Sequence, residues 1–564
     1  MIKKDHKNQA QAWWALPSFW QTLILCCLIA GLLLRCVHLG DRVYWYDEAF
    51  TQLRISGYTE SEAVQALTSP SNQTSTDSQQ ILAPSDFQRY QQVNSNKGMV
   101  DTIRGLAQEE PQHTPLYYGL VRLWAGWFGD SVATVRSFSV VMSLLALPCM
   151  VWLCWELFQS PLAAGLGAAI LAVSPFQIIY AQEARPTALW TASILLTSAA
   201  FLRAIRKQNQ QAWLLYGITL VISFYSYLFS GFIAIVHTIY LLWIERLRPT
   251  QTLLRFGVVL SVSVLLFSPW LLIIATNSTQ VNTVTNWITA DYPFTLSNLL
   301  QRWSYYLILP FVDAGELALP DALSGLDNLL RWGIRLLLVC AFYQLWRETR
   351  RGWLFVFLLT SVPALMLTLP DIFYGGQRSL IPRYLVPTYL GFQLAAVYGF
   401  AQSWSQTHGL HRVHQWQKRL WTGITVGVLV SGLFFSTLTV QSENWWSKGH
   451  SVSVPKLAAM INQAERPLVV SDAETSDLFV LSRYLDPKVR LLVRPQCYAC
   501  QSDSNWIDNP YLPVIPAGFS KVFLYNPRAS ELWRRRLTQA PYPLIPLSEG
   551  ENNWLWQIEP SQSF

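Results

Sequence analysis

The sequence predicts an α-helical polytopic membrane protein, with about eleven transmembrane helices and a small water-exposed α/β domain at the C-terminus. Three observations predict it. The chain is 51% hydrophobic but only 13% charged, whereas soluble proteins carry about 25% charged residues; much of its surface must therefore face something other than water. Its apolar residues collect in runs of about 20, the length a helix needs to cross a bilayer. Its 26 Trp and 24 Tyr suit the interfacial belts where amphipathic rings sit at headgroup depth.

The first run, 19–39, follows a basic tail (1–18) carrying Lys3, Lys4 and Lys7. No small-residue cleavage site follows it, so it reads as an anchor rather than a removed signal peptide. Further runs occupy 132–158, 162–180, 187–204, 212–229, 231–244, 253–274, 329–346, 353–369, 384–401 and 420–440, the sixth of the eleven being short. The net charge of +7 sits mostly in the short connections, a pattern of topology control rather than of a nucleic-acid surface. Four basic connections orient the stack: Arg203, Arg206 and Lys207; Arg246, Arg248 and Arg255; Arg347, Arg350 and Arg351; and Arg412, Lys418 and Arg419. Placing all four with the N-terminus in the cytoplasm works if 115–129, short and interrupted by Arg122, lies at the outer surface instead of crossing.

The chain then divides into a cytoplasmic tail (1–18), a transmembrane domain (19–440) with a large first outer loop (40–115), and an extracytoplasmic α/β domain (441–564). Strand-like runs at 467–470, 489–493 and 521–525 predict the sheet of that last domain, and 530–537, with Arg534, Arg535 and Arg536, predicts a helix. Six of the eight Cys lie in apolar segments as small hydrophobes. Cys497 and Cys500 form a C-x-x-C without a second pair, for which an extracytoplasmic short-loop disulfide is preferred over zinc. The sequence carries no internal repeat and no inverted pair of broken helices of the transporter kind.

Four short features could carry chemistry, and each has a plainer reading. Tyr44-Trp45-Tyr46-Asp47-Glu48 follows the first helix; adjacent carboxylates at the interface are costly to desolvate, but acidic residues also favour an ordinary helix N-terminus. His113-Thr114-Pro115-Leu116-Tyr117-Tyr118 closes the polar loop, where His113 is a candidate ligand or phosphate donor, or simply a loop histidine. Gln182-Glu183-Ala184-Arg185 is a turn between two spans, and Glu183 and Arg185 could simply pair at the surface. Arg383-Tyr384-Leu385-Val386-Pro387 opens the tenth span, where Arg383 could snorkel. All four fall on the outer side of one topology drawn without reference to them, and together would line a cavity at the membrane–water boundary.

On these motifs the chain resembles the GT-C superfamily, membrane glycosyltransferases that use polyprenyl-phosphate sugars and include protein O-mannosyltransferases and the lipid A aminoarabinose transferase (family 39 type). The resemblance covers roughly the first 400 residues. It rests on Asp47-Glu48, on the segment at His113 that is similar to their His-Pro-Pro-Leu-Tyr-Tyr, on Gln182 to Arg185, and more loosely on Arg383 to Pro387. The chain departs from the pattern at Thr114, in a Ser/Gln/Asn-rich insert (69–92), and in the C-terminal domain.

The resemblance implies a transferase that moves a hexosyl or pentosyl group from a polyprenyl phosphate to an acceptor hydroxyl outside the cytoplasm. Asp47 would be catalytic, with Glu48 as its orienting partner or a metal ligand. His113, Tyr117, Glu183, Arg185, Arg383 and Tyr384 would bind substrate. Asp47, Glu48 and His113 could together hold a divalent cation, although no metal-ligand spacing demands one. Implied partners are the lipid-linked donor, the bilayer and a glycan, lipid or protein acceptor, with no nucleic acid; the implied location is a plasma membrane. The competing reading is a transporter or flippase of a lipid-linked sugar, which would need ionisable residues at mid-membrane or paired broken helices.

Overall fold

The structure, a computed structural model, describes residues 16–68, 80–289, 295–313, 321–405, 412–442, 448–449, 451–500, 514–525, 543–547 and 554–559. The helix-like run 530–537 and the first part of the insert, 69–79, lie outside the described residues. Helix α1 (Ser18–Cys36) is the first apolar run. The polar loop after it folds into α2 (Tyr46–Ser56), α3 (Glu60–Thr68), α4 (Pro84–Gln88), α5 (Met99–Glu109) and α6 (Pro115–Phe128). The apolar runs resume as α7 (Val132–Phe158), α8 (Pro161–Ala172), α9 (Pro175–Ala181), α10 (Thr187–Lys207), α11 (Gln210–Ser226), α12 (Ser230–Ile244) and α13 (Gln251–Thr276). Then follow α14 (Ser278–Thr289), α15 (Leu296–Tyr306), α16 (Asp321–Glu348), α17 (Arg350–Tyr374), α18 (Val386–Ser405) and α19 (Arg412–Gln441).

Among the described residues, seven helices are long and apolar enough to cross a bilayer, namely α1, α7, α10, α13, α16, α17 and α19. The bent pair α8–α9 makes an eighth if counted as one span. The chain is a mostly helical, multi-pass membrane protein. The other apolar runs correspond to α11, α12 and α18, of 17, 15 and 20 residues. Helix α6, of 14 residues, is not among the candidate spans.

Contacts divide the chain into two compact units. One comprises Met1–Gly40, Val135–Leu272 and Thr285–Glu443; the other comprises Asp41–Thr134, Ile273–Val284 and Asn444–Phe564. In the first unit, the run 162–180 is not the single helix its apolarity predicts, since it bends by 60° between α8 and α9. Pro175 explains the break: the ring disfavours helical backbone at the preceding residue, and Ser174 is extended at φ −75°, ψ 119°. The bend leaves helix-end carbonyls without intrahelical partners. Buried Arg35 of α1 donates to two of them, Leu171 O (3.0 Å) and Ala172 O (2.5 Å), and to Ser143 Oγ (2.9 Å). This close approach requires Gly31, where a Cβ would stand 2.5 Å from Ala172 O.

The second unit holds α20 (Val454–Asn462), α21 (Thr475–Tyr484) and a mixed sheet of β1 (Pro467–Ser471), β2 (Arg490–Val493), β3 (Lys521–Tyr525), β4 (Leu544–Pro546) and β5 (Leu555–Ile558). The strand order is β2-β1-β3-β5-β4. The first three strands pair in parallel, and β5 runs antiparallel to both β3 and β4. Period-two alternation assigns β1 to two cores: Leu468 and Val470 join one with Leu492, Leu524 and Ile558, while Val469 joins the other. That second core is shared with the first loop, because Tyr44, Phe50, Leu53 and Phe87 pack in it beside Leu478, Phe479 and Leu481 of α21. Leu82 also bridges to Leu491 through two backbone hydrogen bonds of 2.8 Å.

Candidate active site

Within the second unit, the acidic pair opens α2. Asp47 and Glu48 occupy its first turn, where the exposed N–H groups and the helix dipole favour negative charge. The plainer reading of the motif is thus met locally. Burial adds something it does not explain, since Glu48 is wholly buried and Asp47 is 8% exposed. Lys448 Nζ lies 3.6 Å from Glu48 Oε2, itself buried, and donates to Val43 O at 3.1 Å. Glu48 is therefore tied into an ion pair that reaches to the C-terminal part of the chain.

Two turns along α2, Arg54 is fully buried against two carboxylates. Its Nε donates to Glu110 Oε2 (2.7 Å) and one Nη to Glu109 Oε2 (2.5 Å). Burial works against the guanidinium charge, but the two carboxylates more than offset it and hold Arg54 above its ordinary pKa. Glu109 also accepts from Glu60 N–H, Ser61 N–H and Ser61 Oγ. Glu110 Oε1 lies 3.7 Å from His113 Nε2. The cluster thereby fastens the helix bearing Asp47 to the segment bearing His113.

From that segment α6 begins, with Thr114 at the N-cap and Pro115 in the first position, where a missing N–H costs nothing. Tyr117 and Tyr118 are buried, edge to face at 5.6 Å, and the His113 ring is 6.0 Å from that of Tyr118.

Cys497 and Cys500 form a disulfide. Inside its loop, the N–H groups of Tyr498 and Ala499 donate to the two oxygens of Glu60 (3.0 and 2.8 Å). Gln280 Nε2 donates to Ala499 O and Glu109 O. The Tyr498 ring packs 5.8 Å from Phe50 of α2. Burial pushes its hydroxyl pKa up, and the charges of Glu110, Glu474 and Asp47 push in the same direction.

In the first unit, Gln182 holds the turn against the end of α1, donating to Leu34 O (2.8 Å) and Val37 O (2.9 Å). Glu183 and Arg185 are both buried; the exposed surface pair allowed by the sequence is not what forms, because the turn is packed under α1. Arg383 lies in the 3-10 turn Pro382–Leu385 before α18, with its guanidinium 5.7 Å from the Tyr384 ring centroid. Glu183 and Arg383 both lie within electrostatic reach of buried Tyr180. Tyr384 meets Phe229 edge to face at 5.0 Å.

Sequence reasoning missed Arg54, Glu60, Glu109, Glu110, Lys448 and Tyr498. The signal open to it was an arginine amid apolar residues on α2 and a second acidic pair ahead of His113. Among the described residues, no group of three or more His, Cys, Asp and Glu side chains is placed to hold a metal ion.

Residues 112–273 match the family profile of dolichyl-phosphate-mannose-protein mannosyltransferase, a stretch that contains both the His113 segment and the Gln182–Arg185 turn. Over that stretch the sequence is similar to this mannosyltransferase family. The whole chain is similar in fold to ArnT from Cupriavidus metallidurans in the apo state, at 12% identity and a TM-score of 0.51, with 96% of this chain and 98% of that one covered. The same protein bound to undecaprenyl phosphate aligns at 13% identity, equal coverage and a TM-score of 0.49. The apo oligosaccharyltransferase of Archaeoglobus fulgidus aligns at 10% identity and a TM-score of 0.49, over 86% of this chain and 65% of that one. No curated relative matches the sequence.

Proposed function

We propose that this transferase moves a sugar from a polyprenyl phosphate to an acceptor hydroxyl on the outer side of a bacterial plasma membrane, with inversion at the anomeric carbon. The observation that carries the reading is the family match over residues 112–273, which takes in two of the four motifs singled out from the sequence. A polyprenyl-phosphate donor is consistent with the undecaprenyl phosphate bound by the ArnT of similar fold.

The chemistry sets modest demands. A sugar on lipid phosphate departs as an anion already stable in water, so a strong general acid is unnecessary. What is required is a base for the acceptor hydroxyl and positive charge at the departing phosphate. The acceptor oxygen forms a bond to the anomeric carbon as the bond from that carbon to the phosphate oxygen breaks. The electron pair leaves with the lipid phosphate, and the hydroxyl proton passes to Asp47. Glu48, held by Lys448, keeps the turn carrying Asp47 in place. Arg383, with Arg185 and His113, holds the phosphate, Arg being suited to bidentate contact. Tyr117, Glu183 and Tyr384 complete the substrate-binding set.

The proposed topology takes all eleven apolar runs as crossings. The N-terminus is then cytoplasmic, and both the 40–115 loop and the 441–564 domain are extracytoplasmic. Acceptors on protein, lipid or glycan all suit the reading. Its test is transfer from a synthetic polyprenyl-phosphate sugar in detergent, where translocation plays no part. Asp47→Asn should cut the rate by at least about 100-fold, the lower end of what a positioned base supplies, with unchanged expression and melting. Full activity in that variant ends the assignment.

A further inference from the structure

We propose that the second unit carries a carbohydrate-recognition pocket for a neutral, hydroxyl-rich ligand, which makes the acceptor a glycan; the acceptor role, though not the binding, rests on the transferase reading above. The pocket encloses about 330 Å³ and is lined by Gln88, Gln91, Gln92, Asp130, Ser131 and Arg483. That volume is at the lower end for small-molecule sites, roughly 300–1,000 Å³.

The lining has unusual chemistry for an accidental cleft. Gln91, in the turn after α4, is only 3% exposed. Its Oε1 lies 3.1 Å from the Tyr44 hydroxyl, which is itself 2.5 Å from Gln52 Oε1, and its Nε2 has no hydrogen-bond partner among the described residues. A hydroxyl carries one proton and can donate to only one of these carbonyls. Turning the Gln91 amide over would satisfy Tyr44 but leave the carbonyl oxygen as the orphan instead. In either orientation a buried amide atom awaits a ligand, and leaving such an atom unmet is costly.

The rim continues the theme. The Arg483 guanidinium lies 5.2 Å from the Tyr44 ring centroid and has no ion-pair partner among the described residues, and Gln92 is exposed. Asp130 spends one carboxylate oxygen on Val93 N–H at 2.8 Å, and Gln88 is fixed by donating to Ser482 O at 2.8 Å.

Donors and acceptors are thus mixed, and one cation is matched by one anion. An apolar ligand would strip water from these groups without replacing its hydrogen bonds, and a phosphate would face Asp130. Sugar hydroxyls, which donate and accept at once, answer the whole set. Tyr44 backs both Gln91 and Arg483, and α2 with Asp47 starts two residues after it.

The test uses the purified full-length chain in detergent with neutral hexose and N-acetylhexosamine tetrasaccharides, and uronate-bearing tetrasaccharides as a second arm. Binding is read by calorimetry and by saturation transfer in NMR. The neutral probes should saturate, Arg483→Ala with Gln92→Ala should weaken them at least about tenfold, the loss expected for a hydrogen bond to a charged group, and Ser131→Trp should block the pocket at an unchanged melting temperature. Asp47→Asn should bind them as the unaltered chain does. No saturation by any neutral probe, binding unaffected by these variants, or preference for uronates would each overturn the pocket assignment. Saturable binding with full transfer activity in Asp47→Asn would instead remove the catalytic reading and leave the pocket standing.

Discussion

Arg54 offers the sharpest test of how the second unit is held together. Replacing it with Met keeps much of the side chain's bulk but removes the only cation hydrogen-bonded to both Glu109 and Glu110 among the described residues. Both carboxylates are nearly buried, at 3% and 5% exposure, so water cannot take over from the guanidinium. Glu109 retains three donors from Glu60 and Ser61, whereas the Arg54 contact to Glu110 is lost outright. Breaking a buried ion pair by removing one partner costs about 3–5 kcal/mol, and each kcal/mol shifts the melting midpoint of a 150–250-residue unit by roughly 2–4 °C. Arg54→Met should therefore lower the midpoint by roughly 6–20 °C in fluorescence-monitored unfolding of the full-length chain in detergent. Adding Glu110→Gln should return part of the loss, because it removes one of the two buried charges that had faced the guanidinium. Transfer activity should fall with the midpoint, since Asp47 and His113 sit on the two segments this cluster joins. A single variant melting within about 2 °C of the unaltered chain, a shift of no more than about 1 kcal/mol, would refute the reasoning. So would a double variant no more stable than the single one.

Two further outcomes follow from buried charge. Lys448→Met removes the buried cation 3.6 Å from Glu48, so it should destabilise by about 3–5 kcal/mol and reduce transfer, while Lys448→Met with Glu48→Gln regains most of the stability in the same melting assay. Equal losses in the single and double variants would show that the pair is not the cause. Burial, then the charge of Glu109, pushes Glu60 up to about 8 despite its two backbone N–H donors. The folded state then holds the proton more tightly than the unfolded chain, whose carboxyl titrates near 4.5. This contribution is complete below about pH 4.5 and lost as pH rises through about 8, at about 1.4 kcal/mol per unit across the window. The melting midpoint should accordingly fall between pH 5 and pH 8.5, and Glu60→Gln should flatten that slope; identical slopes in both proteins count against it.

Legibility in the sequence followed the range of the interaction. A span announces itself through twenty adjacent residues that all prefer lipid, so the eleven apolar runs are mostly helical, although among the described residues only seven helices, or eight with the bent pair, are long and apolar enough to cross. The one bent run was marked by its own Ser174-Pro175, a strictly local signal that apolarity alone overrode. The strands 467–470, 489–493 and 521–525 were legible for the same reason, whereas β4 (Leu544–Pro546) and β5 (Leu555–Ile558) were not. They are short, and β4 keeps little of its surface buried, so no apolar run betrays them.

The candidate site was legible as motifs and opaque as a structure. Asp47-Glu48 and the His113 segment could be picked out as strings, but nothing in either string says that Glu48 needs Lys448 four hundred residues later, or that Arg54 joins one motif to the other. Such pairings cost desolvation that only a precise partner repays, and the partner is chosen by the tertiary fold. The first loop illustrates the point best. By composition it is a polar excursion from the membrane, yet Tyr44, Phe50, Leu53 and Phe87 share a core with α21. Its apolar residues are too few to form a core alone and become one only against the C-terminal sheet and helices. The acidic turn is thus braced from both ends of the chain, and changes in the C-terminal segment should reach Asp47 without touching it.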